Sequence, residues 1–573
     1  MGKKILYLIN IISGIVFFVS ISEWMPSSVI LSLFLGLIFG IFEYLFLTRF
    51  NPRYNKVLLV VSLAAGVLIS FLSAKSFYDT WITSLNFVRT AVTKVFPDYD
   101  HGLLIISIIL GIMSLPFTTC MIGMLPNLVK LFRKFEYREI WSNFKKKLTF
   151  RIILRKAGIV IVNLIIAVLM GTLLLFAVYL LPTDRIEVNV DSSAQTIADE
   201  GLCPSLFSWI TSDIDTYTDS LMLLEAAYPQ DVSPLVDAMN VPSGGLGDLD
   251  PVDTIVGHYV NGDDYDWTYL YPRYWHGYLI FLKPLLQFFD YSDIRLINGV
   301  IQTLIVLITC FLLFKKEYKK AIIPYLLSHL MLMPIALAKA FQYSSCFYVF
   351  SFACIALLII KEEKRKSLAP LVFLWSGIAT AYFDFLTYPI STFGVPMILY
   401  LFLENTNTAE SKLAEIVRNA IYWCFGFGAM WVSKWCIASI ITGENKFTDA
   451  FKKVAQRAST TSDDGGTYSI YATELRNFGA FFRTPITVLV VILIIYIIFK
   501  LIKQKKLTSE ESVRQLFPFL LTGLAPVVWY AFATNHSMVH FCFTNKACVT
   551  SLMAVLFGMV CLLEANTKKM SES

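Results

Sequence analysis

Apolar runs long enough to cross a bilayer recur from one end of this chain to the other. A hydrocarbon core of about 30 Å needs roughly 20 consecutive apolar residues in a helix. About fourteen such runs predict an all-α polytopic membrane protein. They lie near residues 5–23, 28–48, 57–74, 103–129, 157–181, 295–314, 321–338, 344–360, 368–385, 388–403, 417–441, 485–502, 514–533 and 546–563.

Basic clusters between these runs orient the chain, because Lys and Arg are retained on the cytoplasmic side of a membrane. One consistent arrangement puts both termini and every cluster inside, and it accounts for the net charge of +6 without a nucleic-acid partner. The clusters are Lys3/Lys4, Arg49/Arg53/Lys56, Lys130/Arg133/Lys134, Lys145–Lys147, Lys315–Lys320, Lys361–Lys366, Lys500–Lys506 and Lys568/Lys569.

Two large polar loops then face outside, at residues 183–273 and 442–484. The first contains seventeen Asp and Glu residues between Asp184 and Asp266 and one basic residue, Arg185. Its Pro, Gly and Ser clusters, such as residues 241–247, indicate turns, so we expect a small domain that is irregular or partly helical.

The resulting domain organisation has four parts. A four-helix module at residues 1–135 precedes a basic cytoplasmic linker at 136–156, the main transmembrane domain at 157–564 and a short cytoplasmic tail at 565–573. The start of the chain has a charged end and an apolar run but no small-residue cleavage site, so we interpret it as a retained first span.

Composition agrees with a membrane protein and excludes a soluble globule, since 56% of residues are hydrophobic and 16% are charged. Most of the ten cysteines fall inside apolar runs, and Cys203 stands alone in the first external loop. They form neither a disulfide framework nor a zinc-binding pattern.

Carboxylates crowd the stretch from Trp209 to Tyr228, which contains Asp213, Asp215, Asp219 and Glu225. Such crowding favours a shifted pKa, a bound cation or proton transfer. Asp213 and Asp215 form an Asp-x-Asp, the pattern with which soluble sugar transferases hold a metal-bound nucleotide sugar, so they could bind Mg²⁺ or Mn²⁺. Nucleotide sugars are made in the cytoplasm, however, whereas this loop is predicted to lie outside. The alternative is that Asp213 or Asp215 is a helix N-cap.

Four further candidates lie at or near the predicted outer face. Arg273 and His276 flank aromatic residues in the stretch 271–278, where Arg273 could bind a phosphate and the rings could be interfacial anchors. Asp384 and Lys434 lie in the outer halves of predicted spans, where ionisable residues usually have a function. Alternatively they pair with each other or extend to the interface.

His536 and His540 are four residues apart, so a helix would place both on one face. That spacing can bind zinc, but the Glu that metalloproteases place between the two histidines is missing. Hydrogen bonding to a phosphate or sugar hydroxyl, or between helices, fits better.

Taken together, these features resemble the GT-C superfamily of polyprenyl-phosphate-dependent glycosyltransferases. The resemblance covers residues 157–564 and rests on the acidic loop, the stretches 271–278 and 382–389, the span that contains Lys434, and residues 535–540. It implies transfer of a sugar from a lipid-linked donor to a cell-wall polymer, glycolipid or protein on the outer face of the plasma membrane.

The resemblance also implies roles for individual residues. An acidic residue of the first loop acts as base, with Asp219 preferred over Asp215, and Asp384 supplies a second carboxylate. Lys434, Arg273 or a histidine stabilises the departing phosphate. A transporter or flippase of a lipid-linked saccharide is the alternative function, since it also needs many spans and buried charges.

Overall fold

The computed structural model describes residues 150–564 except 208, 405–407, 463–464 and 505–509. The four predicted N-terminal spans, residues 136–149 of the linker and the predicted tail lie outside the described residues. The chain divides into two compact units, and all the candidate site residues belong to the unit formed by Ile140–Asn477 and Phe517–Cys561.

The elements of the first half surround the predicted acidic loop. They are α1 (Phe150–Tyr179), α2 (Asp184–Glu200), α3 (Thr216–Ala227), α4 (Pro234–Asn240), β1 (Pro242–Gly245), α5 (Pro251–Ile255), β2 (Trp267–Leu270), α6 (Leu279–Leu286), α7 (Tyr291–Lys315), α8 (Ile322–Met331) and α9 (Pro334–Lys339).

The second half is helical wherever it has regular structure among the described residues. Its elements are α10 (Phe341–Ile359), α11 (Glu362–Phe383), α12 (Ser391–Leu403), α13 (Ala409–Thr442), α14 (Phe447–Ala458), α15 (Ile470–Phe482), α16 (Ile486–Lys503), α17 (Glu510–Gly523), α18 (Ala525–Phe532), α19 (Thr534–Val539), α20 (Phe541–Thr544) and α21 (Val549–Glu564).

Seven helical segments in the described ranges are long and apolar enough to cross a membrane, which confirms a predominantly helical membrane protein. Along α1, for example, Leu169 and Leu173 are 58% and 64% exposed, as expected for a surface that contacts lipid. The segments are Leu154–Tyr179, Tyr291–Lys315, Phe341–Ile359, Ala409–Thr442, Ile486–Lys503, Arg514–Phe532 and Phe541–Glu564. The total of fourteen spans stays a prediction.

Three predicted spans differ from single long apolar helices. Residues 321–338 are divided between α8 and α9, because Met333 adopts a left-handed conformation (φ 57°) before Pro334. Helix α12 replaces the predicted span 388–403, and its 13 residues are all buried. At about 1.5 Å per residue α12 alone is shorter than a typical span, and the crossing predicted for 388–403 stays a prediction. Residues 368–383 lie in α11, which begins with charged residues, and residues 384–385 follow it.

The predicted acidic loop folds into α2 to α5 and a two-stranded antiparallel sheet, so it is partly helical as expected. In the sheet Pro242 pairs with Leu270 and Gly245 with Trp267. The stretch 242–245, expected to form a turn, is therefore strand β1. Helix α3 anchors this region, because most of its residues are buried.

Helices α11 and α13 approach each other backbone to backbone. A Cβ atom on Gly377 would lie 2.2 Å from the Trp423 carbonyl oxygen, and one on Gly426 would lie 2.4 Å from the Leu374 carbonyl oxygen. Small residues permit such close crossings in membrane proteins, where dispersion contacts between helices supply much of the association energy.

We therefore expect Gly377→Ala and Gly426→Ala to lower the thermal unfolding temperature of the purified protein. Each added methyl group must separate two backbones, which costs about 1–3 kcal/mol. Gly428→Ala is the matched control on α13, because a Cβ there meets no atom within 4 Å. Equal unfolding temperatures for all three variants would contradict this account of the crossing.

Candidate functional site

Asp215 is the N-cap of α3. Its Oδ1 accepts a hydrogen bond from the Thr218 backbone N–H at 3.1 Å, and its Oδ2 accepts one from the Thr218 hydroxyl at 2.8 Å. Burial raises the pKa of Asp215, and these two hydrogen bonds oppose the shift. The capping interpretation is thus confirmed, and both carboxylate oxygens already have protein donors.

Asp219, the preferred base in the sequence analysis, is fully buried one turn further along α3. Its Oδ2 accepts hydrogen bonds from the Tyr291 hydroxyl at 2.8 Å and the Phe341 backbone N–H at 3.1 Å, and its Oδ1 accepts one from the Gln342 N–H at 3.4 Å. Burial raises the pKa of Asp219 to about 7, and the charge of Arg295 opposes this. Asp219, although it belongs to α3, therefore caps the first turn of α10, which favours a structural role.

Asp213 is more accessible than Asp215 and Asp219. It accepts a hydrogen bond from the Ser205 hydroxyl, and its backbone carbonyl accepts one from the Tyr343 hydroxyl at 3.1 Å. Burial raises its pKa, whereas Ser205 and the ammonium group of Lys546 lower it. Lys546 also donates to the Thr211 carbonyl at 2.9 Å, which ties this loop to the last span.

A divalent cation held by Asp213 and Asp215 stays a prediction. Mg²⁺ and Mn²⁺ prefer several oxygen ligands, but both oxygens of Asp215 contact Thr218. Within the described ranges no group of three or more His, Cys, Asp or Glu side chains is arranged to hold a metal ion.

Asp384 lies in the turn that joins α11 to α12. Its Oδ2 accepts a hydrogen bond from the Thr387 N–H at 3.0 Å, and its Oδ1 accepts one from the Thr387 hydroxyl at 2.5 Å. Leu386 in the same turn has a φ of 68°, a strained value for a residue with a Cβ. Burial raises the pKa of Asp384 to about 6, although hydrogen bonds from Thr387 and Cys346 lower it.

His536 and His540 approach this turn from the other half of the chain, with ring centroids 4.8 Å apart. His536 Nε2 donates to the Leu386 carbonyl at 2.7 Å, because a carbonyl oxygen can only accept. Burial and, to a smaller extent, the charge of Arg457 lower the pKa of His536 to about 3, so the ring is neutral at pH 7. Arg457 Nη1 donates to His540 Nε2 at 2.7 Å.

The Tyr274 side chain connects these groups to Arg273. Burial raises the pKa of Tyr274, the charges of Arg457 and Arg273 lower it and the charge of Asp384 raises it, so all three charges act on its hydroxyl. Its ring also packs against Phe385, with the centroids 5.5 Å apart. We call the set of Asp384, Arg273, Tyr274, Arg457, His536 and His540 the Asp384 cluster.

Three nitrogen atoms of the Asp384 cluster are buried without a hydrogen-bond partner among the described residues: Arg273 Nε, Arg457 Nε and His536 Nδ1. An unpartnered buried polar atom costs about 1–3 kcal/mol, so native proteins rarely leave several close together. The two guanidinium N–H groups can donate to an anion, and His536 Nδ1, which is unprotonated in this tautomer, can accept from a hydroxyl.

Arg273 also has partners within the protein. Its Nη1 is 2.9 Å from Asp449 Oδ2, and its Nη2 donates to the Tyr269 hydroxyl at 2.9 Å. Because Asp449 is largely exposed, this ion pair contributes little to stability and can be exchanged for another anion.

Lys434 and His276 lie in a different, buried polar group. Lys434 donates to the Ala238 carbonyl at 3.2 Å, so it does not depend on Asp384 for a partner. His276 Nδ1 is 3.0 Å from Glu225 Oε2, and its Nε2 is 2.8 Å from the Tyr271 carbonyl oxygen. With both ring nitrogens in protein contacts, His276 is better suited to hold the chain in place than to bind substrate.

Two charged residues near the predicted site were absent from the sequence analysis. Arg457 belongs to the amphipathic helix α14, where a charge usually marks a solvated face. Lys546 falls at the first residue of a predicted span and is fully buried. The rule that ionisable residues inside a membrane are usually functional would have identified Lys546, because it begins the apolar run 546–563.

A scan against models of protein families, a search of curated proteins and a search of solved structures each found no match to this chain. The GT-C resemblance thus stays a prediction that rests on the residues themselves.

The structural role of Asp219 can be separated from a catalytic one. We expect Asp219→Ala to destabilise the protein by about 2–4 kcal/mol, because it leaves two backbone N–H groups and Tyr291 without a buried acceptor. Asp219→Asn keeps one acceptor oxygen and should cost less. Thermal unfolding of purified variants measures both, with the exposed Asp248→Ala as control. Normal stability of Asp219→Ala combined with lost transfer activity would instead restore Asp219 as the base.

Proposed function

We propose that this chain is an integral membrane glycosyltransferase that moves a sugar from a polyprenyl-phosphate donor to an acceptor on the extracytoplasmic face. One observation carries the proposal. A buried carboxylate, Asp384, shares the Asp384 cluster with the unpartnered nitrogens of Arg273, Arg457 and His536. A base next to vacant anion donors suits a displacement in which a hydroxyl attacks and a phosphate leaves.

In the proposed step, an acceptor hydroxyl oxygen attacks the anomeric carbon of the donor sugar while Asp384 takes the hydroxyl proton. The bond from that carbon to the phosphate oxygen breaks, and polyprenyl phosphate leaves with the electron pair. Attack opposite the leaving group inverts the anomeric configuration. Arg457 and Arg273 stabilise the negative charge on the leaving phosphate.

Asp384 replaces Asp219 as our candidate base because of its surroundings. The Asp219 carboxylate joins α3 to α7 and α10, whereas Asp384 acts on the same Tyr274 hydroxyl as the guanidinium groups of Arg273 and Arg457. Burial raises the pKa of Asp384 to about 6, so its carboxylate is ionised at neutral pH and able to take a proton. Asp213 stays a candidate for holding the acceptor, because its carboxylate is accessible.

Hydrogen bonds between α13 and the stretch that contains Arg273 support this assignment indirectly. Trp435 in α13 donates to the Arg273 carbonyl at 2.9 Å, and Trp275 donates to the Met430 carbonyl at 2.7 Å. These bonds fix the stretch that contains Arg273 against α13, which also contains Lys434. Lys434 and His276 would thus position the cluster without contacting the donor.

A transporter of a lipid-linked saccharide is the second candidate, and one feature favours it. Transporters often place their sites at interrupted helices, and here α8 and α9 are interrupted at Met333, as α18 and α19 are at Ala533. A transferase breaks the bond between the sugar and the lipid phosphate, whereas a transporter leaves this bond intact. Both outcomes can be measured on the same preparation of purified protein.

The test uses the full-length protein in vesicles with a synthetic polyprenyl-phosphate sugar and a mixture of acceptors. We expect wild type to release polyprenyl phosphate, and we expect Asp384→Asn and Arg457→Gln to lower the rate by about 10²–10⁴-fold. Asp199→Asn is the control, because Asp199 is exposed and lies outside the cluster. Wild-type turnover by Asp384→Asn would exclude Asp384 as base, and lipid translocation without sugar transfer would identify a transporter.

The pH profile supplies a separate test of the base. Since burial raises the pKa of Asp384 to about 6, the carboxylate is protonated and inactive below that pH. We expect kcat/KM to increase about tenfold per pH unit up to about pH 6 and then to level off. In Asp384→Glu the midpoint should move while the shape is retained. A profile that is flat from pH 4.5 to 7 would contradict the assignment.

A further inference from the structure

A line of aromatic rings connects the surface of the acidic loop to the Asp384 cluster. It consists of Trp267, Tyr269, Tyr271, Tyr274 and Phe385, and we call it the aromatic path. Successive ring centroids are 6.0, 5.5, 5.5 and 5.5 Å apart. These separations lie in the range of direct aromatic contact, so the path is continuous from β2 to the residue that follows Asp384.

Trp267 is the outer end of the aromatic path, and it is held rigidly although it is 45% exposed. Its indole Nε1 donates to the Gly247 carbonyl at 3.0 Å. A Cβ atom on Gly245 would lie 2.4 Å from the indole ring, so the ring rests on the bare backbone of β1. The result is a fixed aromatic surface that is open to ligands.

Tyr269 joins this surface to the proposed catalytic residues. Its hydroxyl accepts the hydrogen bond from Arg273 Nη2, and it lies near Tyr217, which is 43% exposed. Burial raises the pKa of Tyr217, and Asp250 contributes as well. Exposed rings and a carboxylate are thus found close together at the outer end of the aromatic path.

The charge around the aromatic path restricts what can bind there. Asp266 precedes Trp267 and accepts a hydrogen bond from the Gly247 N–H at 2.7 Å, and Asp248, Asp250, Asp263 and Asp264 lie in the adjoining turns. Carboxylates accept hydrogen bonds from sugar hydroxyls and repel phosphate and carboxylate groups. The same charge disfavours contact with an anionic lipid surface, which argues against an interfacial anchor.

We propose that the aromatic path binds an uncharged glycan chain and directs its terminal hydroxyl to Asp384. The flat faces of sugar rings pack on aromatic rings, and the flanking carboxylates bind the hydroxyls at the ring edges. This inference rests on the proposed function and makes it more specific: the acceptor is a neutral polysaccharide, in preference to a glycolipid, a protein or an anionic polymer.

Binding is tested without donor, so that the result does not depend on catalysis. Full-length protein in nanodiscs is titrated by calorimetry with cellohexaose, maltohexaose and hexa-N-acetylchitohexaose, and with an oligogalacturonate of the same length as the anionic probe. We expect wild type to bind at least one neutral hexasaccharide more tightly than the oligogalacturonate. Trp267→Ala should weaken that binding about tenfold, and Trp267→Phe, which keeps a ring, should weaken it less.

Phe288→Ala is the matched control, because Phe288 is a 72% exposed aromatic residue outside the aromatic path. In the transfer assay, Trp267→Ala should raise KM for the long acceptor, whereas Phe288→Ala should leave this KM unchanged. Unfolding temperatures of the variants verify that each one is folded.

Other results would overturn the inference. The inference fails if folded wild type binds no neutral hexasaccharide or binds the oligogalacturonate equally well. It also fails if Trp267→Ala and Phe288→Ala weaken binding equally. If glycan binding depends on Trp267 but wild type transfers no sugar, the glycan site stands and the proposed transferase activity fails.

Discussion

The buried carboxylate of Asp219 joins parts of the chain that are far apart in sequence. It accepts hydrogen bonds from the start of α7 and from the first turn of α10, while Arg295 contacts both Tyr291 and Glu200. A charge this deep is tolerated only when all its neighbours are in place, because the cost of burial is large without them. The acidic loop and two membrane helices are therefore fixed relative to one another by a single side chain.

With that frame fixed, the Asp384 cluster is assembled from segments that contribute few residues each. The turn after α11 supplies Asp384, the stretch after β2 supplies Arg273 and Tyr274, α14 supplies Arg457, and α19 with the residue after it supplies His536 and His540. Packing of Phe385 against Tyr274 and of His536 on Leu386 brings these segments together. Such convergence of distant segments is usual for a functional site in a helical membrane protein.

Sequence patterns predicted the parts of this structure that depend on local or periodic signals. Long apolar runs located the seven helices that can cross a membrane, and the spacing around Asp215 identified an N-cap. The role of Asp219 could not be read in this way, because its partners lie 72 to 123 residues away. Helix α12 has no polar face, so its pattern resembled that of a span, although protein rather than lipid surrounds it.

The close approach of α11 and α13 at Gly377 and Gly426 acts as a reference point for distances in the site. Asp384 lies seven residues beyond Gly377, and Trp435, which holds the Arg273 carbonyl, lies nine residues beyond Gly426, or about 10 and 13 Å along their helices. Two backbones in direct contact cannot slide past each other. The crossing therefore fixes the position of Asp384 along α11 relative to that of Arg273 beside α13. The relative positions of Asp384 and Arg273 therefore depend on two glycines that lie about 10 Å away along the helices.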